Sequence, residues 1–413
     1  MSTLVKDDPS SVEAAETSGA IEGDMMMDPA QKQFYSNHLT DLNLHHSTEE
    51  EMKVKRKAIN TDRYKVWPNG IIPYVFDTLE PDMIYYARSA MEQWESNTCI
   101  RFVTYPTLDV NHDGRIEFVA GNGCWANVAF TGNAQKISLQ KGTCNSIGVA
   151  LHELGHTLGL FHEQSRPDRD EYIAVHIEHV QHGKEGNFKK RDFTEASTLD
   201  VPYDVSSVMH YGPKSFSKDG NETIESLDPE KQSTMGKQRQ LTFLDRKIMN
   251  ELYRCSDNCT NRLECLYGGY MDRHCQCVCP NGFSGVTCND VVSRSDCGEK
   301  LTSSSGTITS PNYPDDYDDN VQCSWFIQAP DDYRVSITFD DFLLEFSEPC
   351  EFDRLEIRYD EPYYDGYPRS ACGTDLYGVT LESSHNSIFL NFTSDYSVGM
   401  PGFSATYHFI PTT

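Results

Sequence analysis

The chain has no cysteine before Cys99 and no run of 18 or more apolar residues. The second absence leaves nothing long enough to span a bilayer as a helix, so no transmembrane anchor is expected. Cations are also scarce: 35 Lys and Arg stand against 63 Asp and Glu, a formal charge of −28. Such a chain has little with which to neutralise phosphates, which argues against nucleic acid and anionic membrane surfaces as partners. The opening residues, Met1-Ser2-Thr3-Leu4-Val5-Lys6-Asp7-Asp8, contain no apolar h-region. A secreted protein needs one, so the sequence as read is expected to lack its leader.

Cysteine is plentiful from residue 99 onward. Fourteen Cys, an even number and dense toward the C-terminal half, read as disulfides formed in an oxidising compartment. Secretion into the extracellular space is therefore expected. Asn221, Asn258 and Asn391 each begin an N-glycosylation triplet. A length of 413 residues suggests two to four domains.

The most informative segment is His152-Glu153-Leu154-Gly155-His156-Thr157-Leu158-Gly159-Leu160-Phe161-His162. On a helix, His152 and His156 fall one turn apart on one face, so both imidazoles can reach one Zn²⁺. Glu153 lies where a carboxylate can take a proton from water. Gly159 tolerates the left-handed turn that brings His162 back as a third ligand. Three protein ligands leave a position for water, the mark of a catalytic rather than a structural zinc site. A bare H-E-x-x-H can arise in any amphipathic helix, but the third His after the Gly argues against that reading. Downstream, Ser207-Val208-Met209-His210-Tyr211 is similar to the Met-turn that underlies such zinc sites.

With the continuation Glu163-Gln164-Ser165-Arg166-Pro167-Asp168-Arg169-Asp170, this pattern resembles the astacins, a family of secreted zinc endopeptidases. The resemblance implies an α+β metzincin protease domain, a twisted mixed sheet plus helices with the zinc cleft between two lobes. It implies His152, His156 and His162 as zinc ligands, and Glu153 as general base and then acid. Tyr211 is implied as a weak fifth ligand that swings away to donate a hydrogen bond to the oxyanion. Met209 would underlie the site. The continuation R-P-D-R-D after His162-Glu163-Gln164-Ser165 argues against a matrix or adamalysin type of metzincin. A second reading is a catalytically silent binding protein. Loss of Glu153 or of a ligand would favour it, and neither is lost.

Residues 1–57 are polar and end in Lys53-Val54-Lys55-Arg56-Lys57, which reads as a pro-segment with a basic cleavage site. Ile21-Glu22-Gly23-Asp24 resembles the family's latency motif, implying that Asp24 occupies the zinc in the zymogen. A trypsin-like or furin-like protease would activate it. Cutting after Lys57 would free Ala58, whose ammonium the resemblance pairs with Glu163 in the mature interior.

The catalytic domain is expected over 58–255. A helix is predicted from Asp82 to Asn97, with Ile84, Ala87, Ala90, Met91 and Trp94 at helical spacing. Strands are predicted at 99–105 and 115–120, and Lys136–Leu139 as an edge strand near the site, able to take an extended substrate. The resemblance pairs Cys99 with Cys255 and Cys124 with Cys144. Among 212–240, Lys214, Lys218, Lys231, Lys237 and Arg239 are candidates for a substrate-selecting pocket.

Residues 256–290 hold six Cys in about 35 residues, too few to build a core without staples. The spacing resembles an EGF-like module, implying Cys259–Cys275, Cys265–Cys277 and Cys279–Cys288. Residues 297–408 alternate polar and apolar in strands such as Arg334–Phe339 and Ser387–Phe392. Thr309-Ser310-Pro311-Asn312-Tyr313-Pro314 and Gly402-Phe403-Ser404-Ala405-Thr406-Tyr407 make this segment similar to a CUB domain, an all-β sandwich that binds a protein partner. Its remaining Cys would pair as Cys297–Cys323 and Cys350–Cys372. Glu345, Asp353 and Asp395 match acidic positions that hold Ca²⁺ in many such domains. The expected whole is a zymogen that hydrolyses extracellular proteins with one catalytic Zn²⁺, and a further Ca²⁺ in the CUB domain.

Overall fold

The computed structural model describes residues 22–27, 56–59, 64–192, 196–237, 239–293, 297–348, 350–359 and 369–412. Most of residues 1–57, which the sequence reading expects to be a pro-segment, lie outside the described residues, including Ile21 and the run Lys53-Val54-Lys55, as does Asn60. Two compact units are formed, divided between Asn258 and Cys259.

The first unit opens with β1 (Met25–Met26) and β2 (Arg56–Ile59). Pro68-Asn69-Gly70 then turns the chain into β3 (Ile71–Phe76). Gly70 is needed there: its φ is +65°, and an added Cβ would lie 3.3 Å from the Cys99 carbonyl oxygen. Helix α1 (Pro81–Asn97) starts with Pro at its first position and buries Met83, Ala87, Ala90, Met91 and Trp94 on one face. It is followed by β4 (Arg101–Thr104), β5 (Arg115–Val119), β6 (Cys124–Asn127), β7 (Ala134–Leu139) and helix α2 (Ile147–Leu158). The order across the sheet is β1-β6-β7-β5-β3-β4. The ladders are parallel except β6–β7, so the sheet is mixed. Trp94 on α1 donates its indole N–H to the Leu151 carbonyl on α2 at 3.3 Å, joining the two helices.

This order corrects one expectation. Strand β7 is not an edge; it lies between β6 and β5, and its Ile137, Ser138 and Leu139 are fully buried. The neighbouring β6 flanks it, and β1 is added to the far side of β6 in parallel as the edge of the sheet. The Ala126 N–H donates to the Asp24 carbonyl at 3.0 Å, and the Val128 N–H to the Met26 carbonyl at 3.2 Å.

The chain continues through β8 (Ile173–Val175), β9 (Ala196–Thr198), β10 (Ile224–Ser226) and helix α3 (Phe243–Leu252). Strand β2 pairs antiparallel with β9, with an irregularity between Arg56 and Ala58. Helix α3 begins with a capping box, Thr242 and Asp245 each accepting from the other's backbone N–H, worth about 1 kcal/mol. Disulfides Cys99–Cys255 and Cys124–Cys144 close the unit. The first spans 156 residues, for which loop entropy gives roughly 5 kcal/mol of stabilisation.

The second unit begins with two short hairpins, β11 (Tyr270–Met271) with β12 (Cys277–Val278) and β13 (Phe283–Ser284) with β14 (Asp290–Val291). Cys259–Cys275, Cys265–Cys277 and Cys279–Cys288 staple them. A sandwich follows: β15 (Lys300–Leu301), β16 (Ser305–Thr309), β17 (Gln322–Gln328), β18 (Tyr333–Leu343), β19 (Arg354–Arg358), β20 (Arg369–Ala371), β21 (Thr380–Glu382), β22 (Ser387–Thr393) and β23 (Gly402–Pro411). Its sheets run β15-β17-β22-β19-β20 and β16-β23-β18-β21. Trp325, Ile327, Ile337, Phe339, Leu355, Leu390, Phe392 and Phe403 fill the space between them. Cys297–Cys323 and Cys350–Cys372 complete the set, and no free cysteine remains among the described residues. The stapled hairpins share a core with the sandwich: Phe283 packs on Phe326 and Phe389. A Cβ at Gly282 would fall 2.1 Å from the Phe389 ring.

Candidate active site

Helix α2 starts at Ser146, whose side chain accepts from the Gly148 N–H at 3.1 Å. It ends at Gly159, whose φ of 112° reverses the chain with its N–H on the Gly155 and His156 carbonyls. The helix puts His152 above His156, and the turn brings His162 beside them. His152 Nε2 lies 3.1 Å from His156 Nε2 and 3.3 Å from His162 Nε2. Asp24, from the stretch before β1, completes the group, with carboxylate oxygens 3.2 Å from both His152 Nε2 and His162 Nε2, and 3.6 Å from His156 Nε2. All four residues are buried.

The far ring nitrogens decide what these groups are. His152 Nδ1 meets the Val208 carbonyl and His156 Nδ1 the Leu160 carbonyl, each at 2.8 Å. A carbonyl only accepts, so each Nδ1 carries the proton and each Nε2 presents a lone pair. Lone pairs and a carboxylate thus face one another about 3 Å apart, which is repulsive without a cation between them. Nitrogens on a tetrahedral zinc with bonds of about 2.05 Å stand roughly 3.3 Å apart. The residues present therefore fit a zinc ion.

Glu153 is fully buried beside this group, and neither carboxylate oxygen has a hydrogen-bond partner among the described residues. Burial, and next the charge of Asp24, push its carboxyl well above the usual range. Such a group holds or receives a proton readily.

Tyr211 lies beside the same group. With Asp24 filling the centre, its hydroxyl donates to the Glu22 carbonyl, and its ring lies edge-on to His162 with centroids 4.5 Å apart. Burial raises its phenol well above the ordinary value.

The Met-turn supports the site from below. Met209 is fully buried with Sδ against Gly155, where an added Cβ would lie 2.5 Å from the sulfur. The Met209 carbonyl accepts the Glu163 N–H at 2.9 Å. Asp245 on α3 accepts from the Ser207 hydroxyl at 2.6 Å and from the Val208 N–H at 3.0 Å, fixing the carbonyl that orients His152.

Glu163 is fully buried and accepts from Arg166 Nη1 at 3.1 Å and the Asp204 N–H at 2.9 Å. Ala58 is also fully buried, within β2 and bridged to Leu160. Of the cations singled out downstream, Lys214, Lys218, Lys237 and Arg239 are exposed, and Lys231 pairs with Asp228 at 3.3 Å. A cation that does stand beside the imidazoles is Arg191, buried and 2.5 Å from Glu22 Oε1. Neither Arg191 nor Glu22 is a site residue by the sequence reading. The Glu22–Gly23–Asp24 motif offers a hint for one, and nothing marks the other.

A second acidic group lies in the sandwich. Oxygens of Glu345, Asp353 and Asp395 come within 4.8 Å of one another. Asp353 accepts from the Tyr317 hydroxyl at 2.6 Å and the Asp395 N–H at 2.7 Å. Burial, and then their mutual repulsion, raise the Glu345 carboxyl; burial is also the largest cause of the raised Asp353. Oxygen donors of this kind suit Ca²⁺.

The glycosylation triplets separate. Asn221 and Asn258 are exposed. Asn391 is not a surface acceptor, which corrects the sequence reading. It is buried in β22, donating to Glu356 Oε2 at 3.1 Å and accepting from the Ser324 hydroxyl at 3.0 Å.

Comparison with known proteins matches residues 59–254 to the peptidase family described as Astacin and residues 297–407 to the CUB domain. Protein SpAN of Strongylocentrotus purpuratus is 40% identical over 399 residues, covering 94% of this chain and 63% of that protein. Blastula protease 10 of Paracentrotus lividus is 38% identical over 398 residues, covering 94% of this chain and 64% of that protein. The chain thus spans less than two thirds of the length of these relatives. High choriolytic enzyme 1, a hatching enzyme zinc-protease from Oryzias latipes, is 33% identical, covering 46% of this chain and 94% of that one, with a TM-score of 0.42. Motif, ligand geometry and family matches agree: residues 59–254 form a metzincin-type peptidase domain of the astacin family, and residues 297–407 a CUB domain.

Proposed function

We propose that this chain is the latent form of a secreted zinc-dependent endopeptidase that hydrolyses peptide bonds of extracellular proteins. The observation that carries the reading is the convergence of three imidazole Nε2 atoms beside a buried Glu153 with no hydrogen-bond partner among the described residues. A zinc ion bound there supplies a Lewis acid for the scissile carbonyl and makes water acidic. Glu153 takes the proton of the attacking water and hands it to the leaving nitrogen. Tyr211, freed from the Glu22 carbonyl, donates its hydroxyl to the developing oxyanion. The outer face of β6, vacated by β1, receives an extended substrate as an added strand.

Latency is assigned to residues 1–57, with Asp24 on the metal. Removal by a trypsin-like or furin-like protease leaves Ala58 to pair with Glu163. The peptidase domain is assigned to 58–255, an EGF-like module to 256–290 and the CUB domain to 297–408. Seven disulfides support an extracellular location. Among the described residues, no helix is long and apolar enough to cross a membrane. Asn221 and Asn258 are assigned as glycan carriers. The Glu345, Asp353 and Asp395 cluster is assigned to Ca²⁺ and to a protein partner of the CUB domain.

The test is metal analysis of the intact chain, then limited trypsin treatment and exposure to a peptide library with and without a chelator. One zinc per chain and chelator-sensitive cleavage are expected. A metal-free chain, or cleavage indifferent to the chelator, would refute the reading.

A further inference from the structure

Two of the three converging imidazoles are oriented by carbonyls of the peptidase domain itself, Val208 for His152 and Leu160 for His156. The third is different. His162 Nδ1 lies 2.9 Å from Glu22 Oε2, and among the described residues no other group stands against that nitrogen. Glu22 is in turn 2.5 Å from Arg191 Nη2, and the Arg191 guanidinium lies 3.7 Å from the centroid of Phe161. Glu22, His162 and Arg191 are all buried. Gly23, with φ of +86° and the Phe216 ring 2.9 Å from where a Cβ would stand, leaves no slack between Glu22 and Asp24. Its neighbours therefore enter the site together.

We propose that Glu22 is a positioning residue of the metal centre, supplied by the pro-segment and seated by Arg191, so that activation weakens the hold on zinc. The inference rests on the zinc reading above. A carboxylate on an imidazole N–H fixes the tautomer and raises the basicity of the opposite nitrogen. Loss of such a partner typically costs about 10–100-fold in metal affinity. This contribution is separate from Asp24, which meets the Nε2 side of the rings. Glu22 acts through His162 and Asp24 acts directly. When the pro-segment leaves, His152 and His156 keep their carbonyl partners and His162 alone loses its orienting group.

The test uses the intact single chain, loaded with zinc and titrated with a chromophoric chelator, and in parallel loaded with cobalt(II) for visible spectra at saturation. Wild-type protein that takes up no metal would remove the zinc reading itself, a result distinct from failure at Glu22. Given one metal per chain, Glu22→Gln is expected to weaken zinc roughly 10–100-fold and to alter the cobalt spectrum. Arg191→Met is expected to move both in the same direction by less. After the pro-segment is removed, wild type and Glu22→Gln become the same protein and bind equally, more weakly than the intact wild type. The cobalt spectrum is read on fully loaded protein, so it reports ligand geometry whatever the variant does to stability. Zinc affinity of Glu22→Gln within about twofold of wild type, or an unchanged cobalt spectrum, overturns the proposal.

Discussion

Gly155 sits on Met209: a Cβ added to the glycine would lie 2.5 Å from the methionine sulfur. Alanine is the better helix former by about 1 kcal/mol, which favours the substitution in isolation. Met209 is fully buried, so its sulfur and methyl have little free space to move into. Overpacking costs about 1–3 kcal/mol and outweighs the gain. Gly155→Ala is expected to lower the melting temperature and to loosen zinc. Calorimetry and chelator competition check this, and an unchanged melting temperature would contradict it.

The bond between Lys57 and Ala58 lies inside β2, paired with β9 and with Ala58 buried against Leu160. A protease must draw this stretch out before cutting it, so the rate follows local opening. Trypsin is expected to cut this bond in the folded chain at least about tenfold more slowly than in a free peptide of the same sequence. Ser197→Pro disturbs the ladder on β9 and is expected to speed that cut alone. N-terminal sequencing over time reads the result. Equal rates in chain and peptide would show that the strand is no barrier.

Much of the site is legible because its chemistry is local. His152, Glu153, His156 and the turn at Gly159 are fixed by helix geometry within one short segment, and so is the return of His162. Other features depend on partners far along the chain. Glu22 meets Arg191 across 169 residues. Asp245 reaches Ser207 across 38 residues. Whether β7 is an edge depends on which strands flank it, and no alternation within Lys136–Leu139 records that. The triplet at Asn391 is a local pattern, while its burial is decided by β17 and β19 on either side.

Asn391 yields a direct check. Its amide bonds both Ser324 and Glu356. Peptide mass mapping of secreted protein is expected to find glycan at Asn221 and Asn258 and none at Asn391. Asn391→Asp replaces the donor with a carboxylate facing Glu356 and is expected to cost about 1–3 kcal/mol. A glycan at Asn391 in folded protein would contradict the packing.

The acidic group in the sandwich gives a pH dependence. Burial raises Glu345 and Asp353 in the metal-free fold, so the folded state binds protons more tightly than the unfolded chain. Their contribution to stability is present below the ordinary carboxylate range, near about 4, and is lost as pH rises through the raised folded values. Calcium, by neutralising the cluster, is expected to flatten this loss and to raise the melting temperature at neutral pH. Asp353→Asn is expected to abolish most of the calcium response. Differential scanning calorimetry with and without calcium distinguishes these outcomes.

Proton transfer at this centre falls to Glu153, the buried carboxylate with no hydrogen-bond partner of its own among the described residues. The most direct measurement is cleavage of a good peptide substrate by activated Glu153→Gln, with zinc measured on the same sample. Gln keeps the shape but cannot accept the proton, and general base catalysis alone contributes about 10²–10⁴-fold. A loss of that size or more, with one zinc per chain retained, is expected. Cleavage at the wild-type rate in the zinc-loaded variant would contradict the assignment of Glu153.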